Sequence, residues 1–334
     1  MSHPIRANFV GKKLTAVKRD DPVPPQWPSY TGISQFVGTS PSGLVTVYVD
    51  PALGQPALQN AQDLVNDADR VVDANDTVFG AGGGAVSAIV FALGGATDGT
   101  GGADHMGCDY IIGAAIEVCA SFGNSARVSA LFEAELSECS MGGNLCGAST
   151  GEALSRWCAA MIGGNALSDF ATAPQWAQDG MPDYVNQTAP TDQNSDSTGC
   201  GMAFLSWLMS QGYGLDKIAP TMVSLGAAGT LAQLYASLTS DDASNAWPNF
   251  LAAAQSLNVT NDDPFGGMSQ PGQLAHLAPW TVALAGKVFA AILADVAAGK
   301  AAHQIVASVR AALVEAPTGK PARASSKSHA MLPT

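Results

Sequence analysis

Basic side chains are scarce in this chain: 15 Lys and Arg stand against 28 Asp and Glu across 334 residues, for a net charge of −13. The deficit excludes a phosphate-backbone partner, because nucleic-acid binding rests on clustered basic side chains, and it argues against an anionic membrane surface for the same reason. Long uninterrupted apolar runs are lacking too. The longest, residues 280–298, is broken by Lys287 and Asp295 and reads as a buried helix, not a membrane span. The opening residues Met1-Ser2-His3-Pro4-Ile5-Arg6 hold no apolar stretch of the secretory kind, so the expectation is a cytoplasmic protein or one exported by a signal-independent route. No GxGxxG or GxxxxGK[ST] pattern opens a helix, which removes the usual phosphate cradles, and no GxSxG is present to seat a serine nucleophile. The six cysteines (Cys108, Cys119, Cys139, Cys146, Cys158 and Cys200) form no CxxC pair, so a structural zinc site of the usual kind is not indicated. Free buried thiols are the favoured reading; if the chain is oxidised, Cys108–Cys119 across a hairpin and Cys139–Cys146 across a loop are the plausible bridges.

What is present is a chain that is 47% hydrophobic, enough for a large core. Its pattern predicts an α+β protein: a small N-terminal sheet with packed helices, followed by a mostly helical C-terminal part. Residues 1–42, with Pro22, Pro24, Pro25 and Pro28, read as an extended arm lying on the body or on a like chain, the route by which a homo-oligomer would form. A sheet-containing subdomain is expected over 43–127, with strands at 44–49 and 85–93, a helix at 58–79, and a hairpin of 110–112 with 116–120. Asp67, Asp69 and Asp73 fall on the wet face of that helix. A helical subdomain spans 128–258, a helical extension 259–316, and a small, basic, disordered tail 317–334. Ser149-Thr150-Gly151-Glu152 has the form of a capping box, with Arg156 one turn beyond Glu152 as its local ion partner, and 186–199 reads as a polar loop.

One stretch stands out against the acid-poor background. Over residues 128–139 a helical period puts Val128, Leu131, Phe132, Glu135 and Cys139 on one face, with Glu138 at its flank and Glu133 and Ser137 opposite, toward solvent. A carboxylate on an apolar stripe is costly unless a metal, a cation, hydrogen bonds or a proton compensates it, so Glu135 and Glu138 are the candidate catalytic residues. His105, preceded by Asp104 in a loop, is the histidine nearest in sequence and a candidate metal ligand.

The order of these elements, from about residue 45 to 257, resembles the gluzincin branch of zinc metallopeptidases, the thermolysin and aminopeptidase type of fold. Such enzymes carry HExxH on an active-site helix and a third ligand in a motif like WLxEGxAxY. Ala134-Glu135-Leu136-Ser137-Glu138 lies where HExxH would lie, and Trp176-Ala177-Gln178-Asp179-Gly180-Met181-Pro182-Asp183-Tyr184 matches the second motif. The resemblance implies Glu135 in the place of the general base, Ala134 and Glu138 in the places of the two histidines, and Asp179 in the place of the third ligand. No cofactor is expected on balance. If a metal is bound, zinc or another divalent cation, its ligands are drawn from Glu138, Asp179, His105 and Glu152. The expectation is a peptidase-like protein that has lost the usual zinc ligands and serves as a non-catalytic binding or structural module with a protein or peptide partner. The alternative is a hydrolase of peptides working through a carboxylate-rich cleft, with an altered metal site or an acid/base pair.

Overall fold

The computed structural model describes residues 21–107, 109–110 and 115–269, so the expected helices at 280–298 and 301–314 and the tail lie outside the described residues. Among the described residues the architecture is α+β, a five-stranded mixed sheet with eight α-helices. Strand β1 (Gln35–Thr39) pairs antiparallel with β2 (Val45–Val49), whose β-branched and aromatic VTVYV sequence is suited to a strand buried on both faces. Helix α1 (Gln55–Phe79) crosses over to β3 (Val86–Phe91), which runs parallel to β2. A parallel neighbour requires a crossover of this length. Pro56 in the first turn starts α1, and Gly80, at a φ of 71° that only glycine takes without strain, stops it. Strand β4 (Ala103–His105) is the edge strand, antiparallel to β5 (Ala115–Cys119), giving the order β1-β2-β3-β5-β4. The remainder is helical: α2 (Ser125–Ser140), α3 (Ser149–Gly163), α4 (Ala173–Gln178), α5 (Ser195–Ser210), α6 (Leu215–Leu225), α7 (Leu231–Thr239) and α8 (Ala246–Ala254). No helix among the described residues is long and apolar enough to cross a membrane.

From residue 21 onward the arm lies on the body, one of its two expected placements: Trp27 is buried, and Trp27 and Tyr30 pack on the sheet face opposite the helices, against Tyr48, Ile89 and Phe91. Several other expectations need correction, the first being that the arm contains a strand, β1. On that face Glu117 is fully buried and accepts from the Ser29 backbone N–H at 2.9 Å, the Ser29 hydroxyl at 2.6 Å and the Tyr30 N–H at 2.7 Å. His105 sits on strand β4, not in a loop. Helix α5 begins at Ser195, capped by the Asn194 side chain, inside the stretch read as a polar loop. Ser149 and Glu152 form no capping box; Ala148 is the N-cap, and the Ser149 hydroxyl bonds to Ser197 and to the Ala189 N–H. Neither plausible disulfide exists: Cys119, Cys139, Cys158 and Cys200 are buried thiols, while Cys146 is disulfide-bonded, which also departs from the favoured all-thiol reading.

The main core lies between the sheet and the helices. Helices α2 and α3 run side by side because Gly163 meets Ala130 so closely that an added Cβ would sit 2.6 Å from the alanine methyl. Farther along the chain, Trp176 stacks on Phe250, which also meets Phe204 edge-on, and the Trp176 indole N–H donates to the Pro182 carbonyl at 2.9 Å.

Candidate functional site

The cluster forms where the edge strand meets α2. His105 is in register with Ile116, whose side chain belongs to the helix-facing core, so the pleat turns the imidazole toward α2. There Nδ1 of His105 lies 2.7 Å from Glu135 Oε2, and Nε2 lies 3.8 Å from Glu138 Oε2. Glu135 and Glu138, three residues apart on one helix, are side-by-side neighbours. All three side chains are nearly enclosed, with 11%, 14% and 13% exposure for His105, Glu135 and Glu138. From the loop after α2, Cys146 brings its Sγ to 3.5 Å from His105 Nε2.

Burial dominates the electrostatics. It pushes the Glu135 carboxyl above its ordinary value, opposed by the hydrogen bond and charge of His105. Glu138 is pushed up to about 8 by burial and then by the charges of Glu135 and Glu152, with His105 and the Ser155 hydroxyl pulling the other way. For His105 burial alone favours the neutral ring, but the hydrogen bond and charge of Glu135, with Glu138 and Asp104 behind, outweigh it and raise the net proton affinity. The three groups therefore hold protons as a unit.

The other expected ligands stand differently. Glu152 flanks the cluster on α3, close enough to act electrostatically on Glu135 and Glu138, and its Oε1 receives the Arg156 Nε at 2.6 Å, the ion pair expected from the spacing. Arg156 also donates to the Phe170 carbonyl at 2.6 Å. Asp179, at the end of α4, takes the Gln175 side-chain amide at 2.7 Å and has Asp196 as its charged neighbour. Its motif partner Trp176 is a core side chain. Of the four residues from which metal ligands are expected to be drawn, His105 and Glu138 meet, while Glu152 is engaged by Arg156 and Asp179 by Gln175.

On α2, Glu133 and Ser137 are fully buried, against the expectation that they face solvent. The helix is enclosed by α1, α3 and the sheet, so it has no wet side for them. Glu133 Oε1 accepts from the Asn75 side-chain amide at 3.0 Å, and Oε2 is buried with no hydrogen-bond partner. Cys146 is the member that sequence reading missed, having been weighed only as a bridge to Cys139.

No protein-family model, curated protein or solved structure matches the chain.

Proposed function

We propose that this protein is a peptidase-like binding or structural module without hydrolytic activity, in which the acid/base cluster fastens edge strand β4 to α2. Hydrolysis of the gluzincin type needs a ligand at the first position of the helix motif and a carboxylate available to take a proton from water. Ala134 offers no donor atom. The carboxylate of Glu135 is committed to the His105 imidazole, and that 2.7 Å contact is the observation that carries the reading. A protein or peptide is the partner class that a peptidase-like frame implies, and association of like chains through the N-terminal residues belongs to the same proposal.

A second reading is favoured by one observation. Glu138, with its proton affinity lifted to about 8, lies beside Glu135, whose carboxyl burial also pushes up, and a carboxyl that keeps its proton near neutrality beside a second one is what an acid/base hydrolase can use. Incubating the full chain with a peptide library between pH 5 and 8, alongside Glu135→Gln and Glu138→Gln, separates the two. The expected outcome is no cleavage above background in any of the three proteins. Wild-type cleavage abolished in both variants would establish the hydrolase and end the non-catalytic reading.

A further inference from the structure

His105, Glu138 and Cys146 reach one point from three separate stretches of chain: strand β4, helix α2 and the loop that follows α2. One donor atom of each lies within 4.8 Å of the other two. Nε2 of His105 is 3.5 Å from Cys146 Sγ and 3.8 Å from Glu138 Oε2. On a tetrahedral zinc, with bonds of about 2.05 Å to nitrogen, 2.1 Å to oxygen and 2.3 Å to sulfur, nitrogen and sulfur stand about 3.6 Å apart and nitrogen and oxygen about 3.4 Å. The first separation is already in place, and the second needs a movement of a few tenths of an ångström. The opposite edge of the imidazole matters as much. Glu135 holds Nδ1 at 2.7 Å, which places the proton of the neutral ring on Nδ1 and leaves the Nε2 lone pair directed at Glu138 and Cys146. A carboxylate behind the ring is the usual means of orienting a metal-binding histidine. One obstacle stands in the way: Cys146 is disulfide-bonded, and a disulfide sulfur has no thiolate to offer.

We propose that His105, Glu138 and Cys146 form a redox-gated site for a borderline divalent cation such as zinc, closed while Cys146 is disulfide-bonded and assembled on its reduction. A dithiol reductant supplies two electrons and two protons: its own two S–H groups become a disulfide, the protein S–S bond breaks, and both protein sulfurs become thiols. Cys146 then gives up its S–H proton to solvent as it coordinates the cation, while His105 remains neutral with its Nδ1–H on Glu135. The nitrogen, oxygen and sulfur donors occupy three positions and leave the fourth to water. Cys146 is only partly buried, so a reductant has access to it. Glu135 acts here as a positioning residue. The inference goes beyond the non-catalytic reading, which concerns the disulfide-bonded chain whether or not the reduced chain takes a metal.

The test is an anaerobic cobalt(II) titration of the full-length protein, disulfide-bonded and after reduction with a phosphine and desalting, followed by displacement with zinc. The reduced protein is expected to take one equivalent with a thiolate-to-cobalt charge-transfer band, at an affinity at least 100-fold above that of the disulfide form. Cys146→Ser should abolish the band. His105→Ala should keep thiolate absorption but lose at least 100-fold in affinity, and Glu135→Gln, which leaves every ligand in place, should lose about 10- to 100-fold. Equal binding by the two redox forms, or a band that survives in Cys146→Ser, overturns the proposal. Failure on these counts leaves the non-catalytic reading standing, whereas peptide cleavage that is lost in Glu135→Gln overturns that reading and leaves the metal site intact.

Discussion

Replacing Glu133 by Gln should stabilise the protein, by an amount that grows with pH. Glu133 is wholly enclosed; burial drives its carboxyl well above the ordinary value, and the Asn75 hydrogen bond and the Arg70 charge only partly oppose this. The sign follows from linkage. An acid whose folded proton affinity exceeds its unfolded one contributes stability below the unfolded value, near 4.5, and that contribution is lost as pH rises toward the folded value. Across that window each pH unit removes about 1.4 kcal/mol. Gln does not titrate, matches Glu in volume, and keeps a carbonyl for the Asn75 amide now bonded at 3.0 Å. At pH 4.5 the variant should therefore match the wild type, and between pH 5 and 6 its advantage should widen by about 1.4 kcal/mol. Urea unfolding of both proteins at half-unit pH intervals measures the difference directly, since the titration of every other group cancels to first order. A difference that is flat with pH, or a variant less stable than wild type above pH 6, would refute the claim that Glu133 is held protonated.

Three further outcomes can be checked by the same denaturation assay. Glu117→Ala strips the acceptor from three donors on Ser29 and Tyr30 and should cost about 2–5 kcal/mol, with Glu117→Gln recovering part of the loss. Trp176→Ala removes an indole stacked on Phe250 and bonded to the Pro182 carbonyl, and should cost about 3–5 kcal/mol, with no effect on metal content because Trp176 acts as core. Gly163→Val places carbon where Ala130 already sits and should cost about 1–3 kcal/mol; a neutral result would mean that α2 and α3 separate freely.

Regular elements with a strong period were legible in the sequence. Helix α1 announced itself through Ala61, Leu64, Ala68, Val71 and Val72, strand β2 through its β-branched run, and α6 was expected at the residues where it lies. The failures have local causes. Strand β1 is short and carries a register irregularity between Phe36 and Gly38, so its alternation is broken. Strand β4 is three residues set among glycines, and only pairing with β5 makes it a strand. That pairing is long-range, so the turn of His105 toward α2 leaves no mark in the neighbouring sequence. The acids of α2 were half legible. A helical wheel identifies neighbours on the helix, which is why Glu135 and Glu138 were found together, but it does not tell how many sides are covered, and Glu133 was misjudged for that reason. Cys146 had no period or motif to mark it; its place beside His105 comes from long-range folding of the loop after α2.

Helices α2 and α3 come into close contact at Gly163 and Ala130, whereas Glu138 and Glu152 lie toward the far ends of the same two helices. From Ala130 to Glu138 is eight residues, about 12 Å at 1.5 Å per residue. A side chain added at Gly163 would act as a wedge there, and any tilt it imposed would be magnified along two stiff arms by the time it reached Glu138 and Glu152. A change at a place that carries no charge and no side chain would then be read out in how Glu138 meets His105.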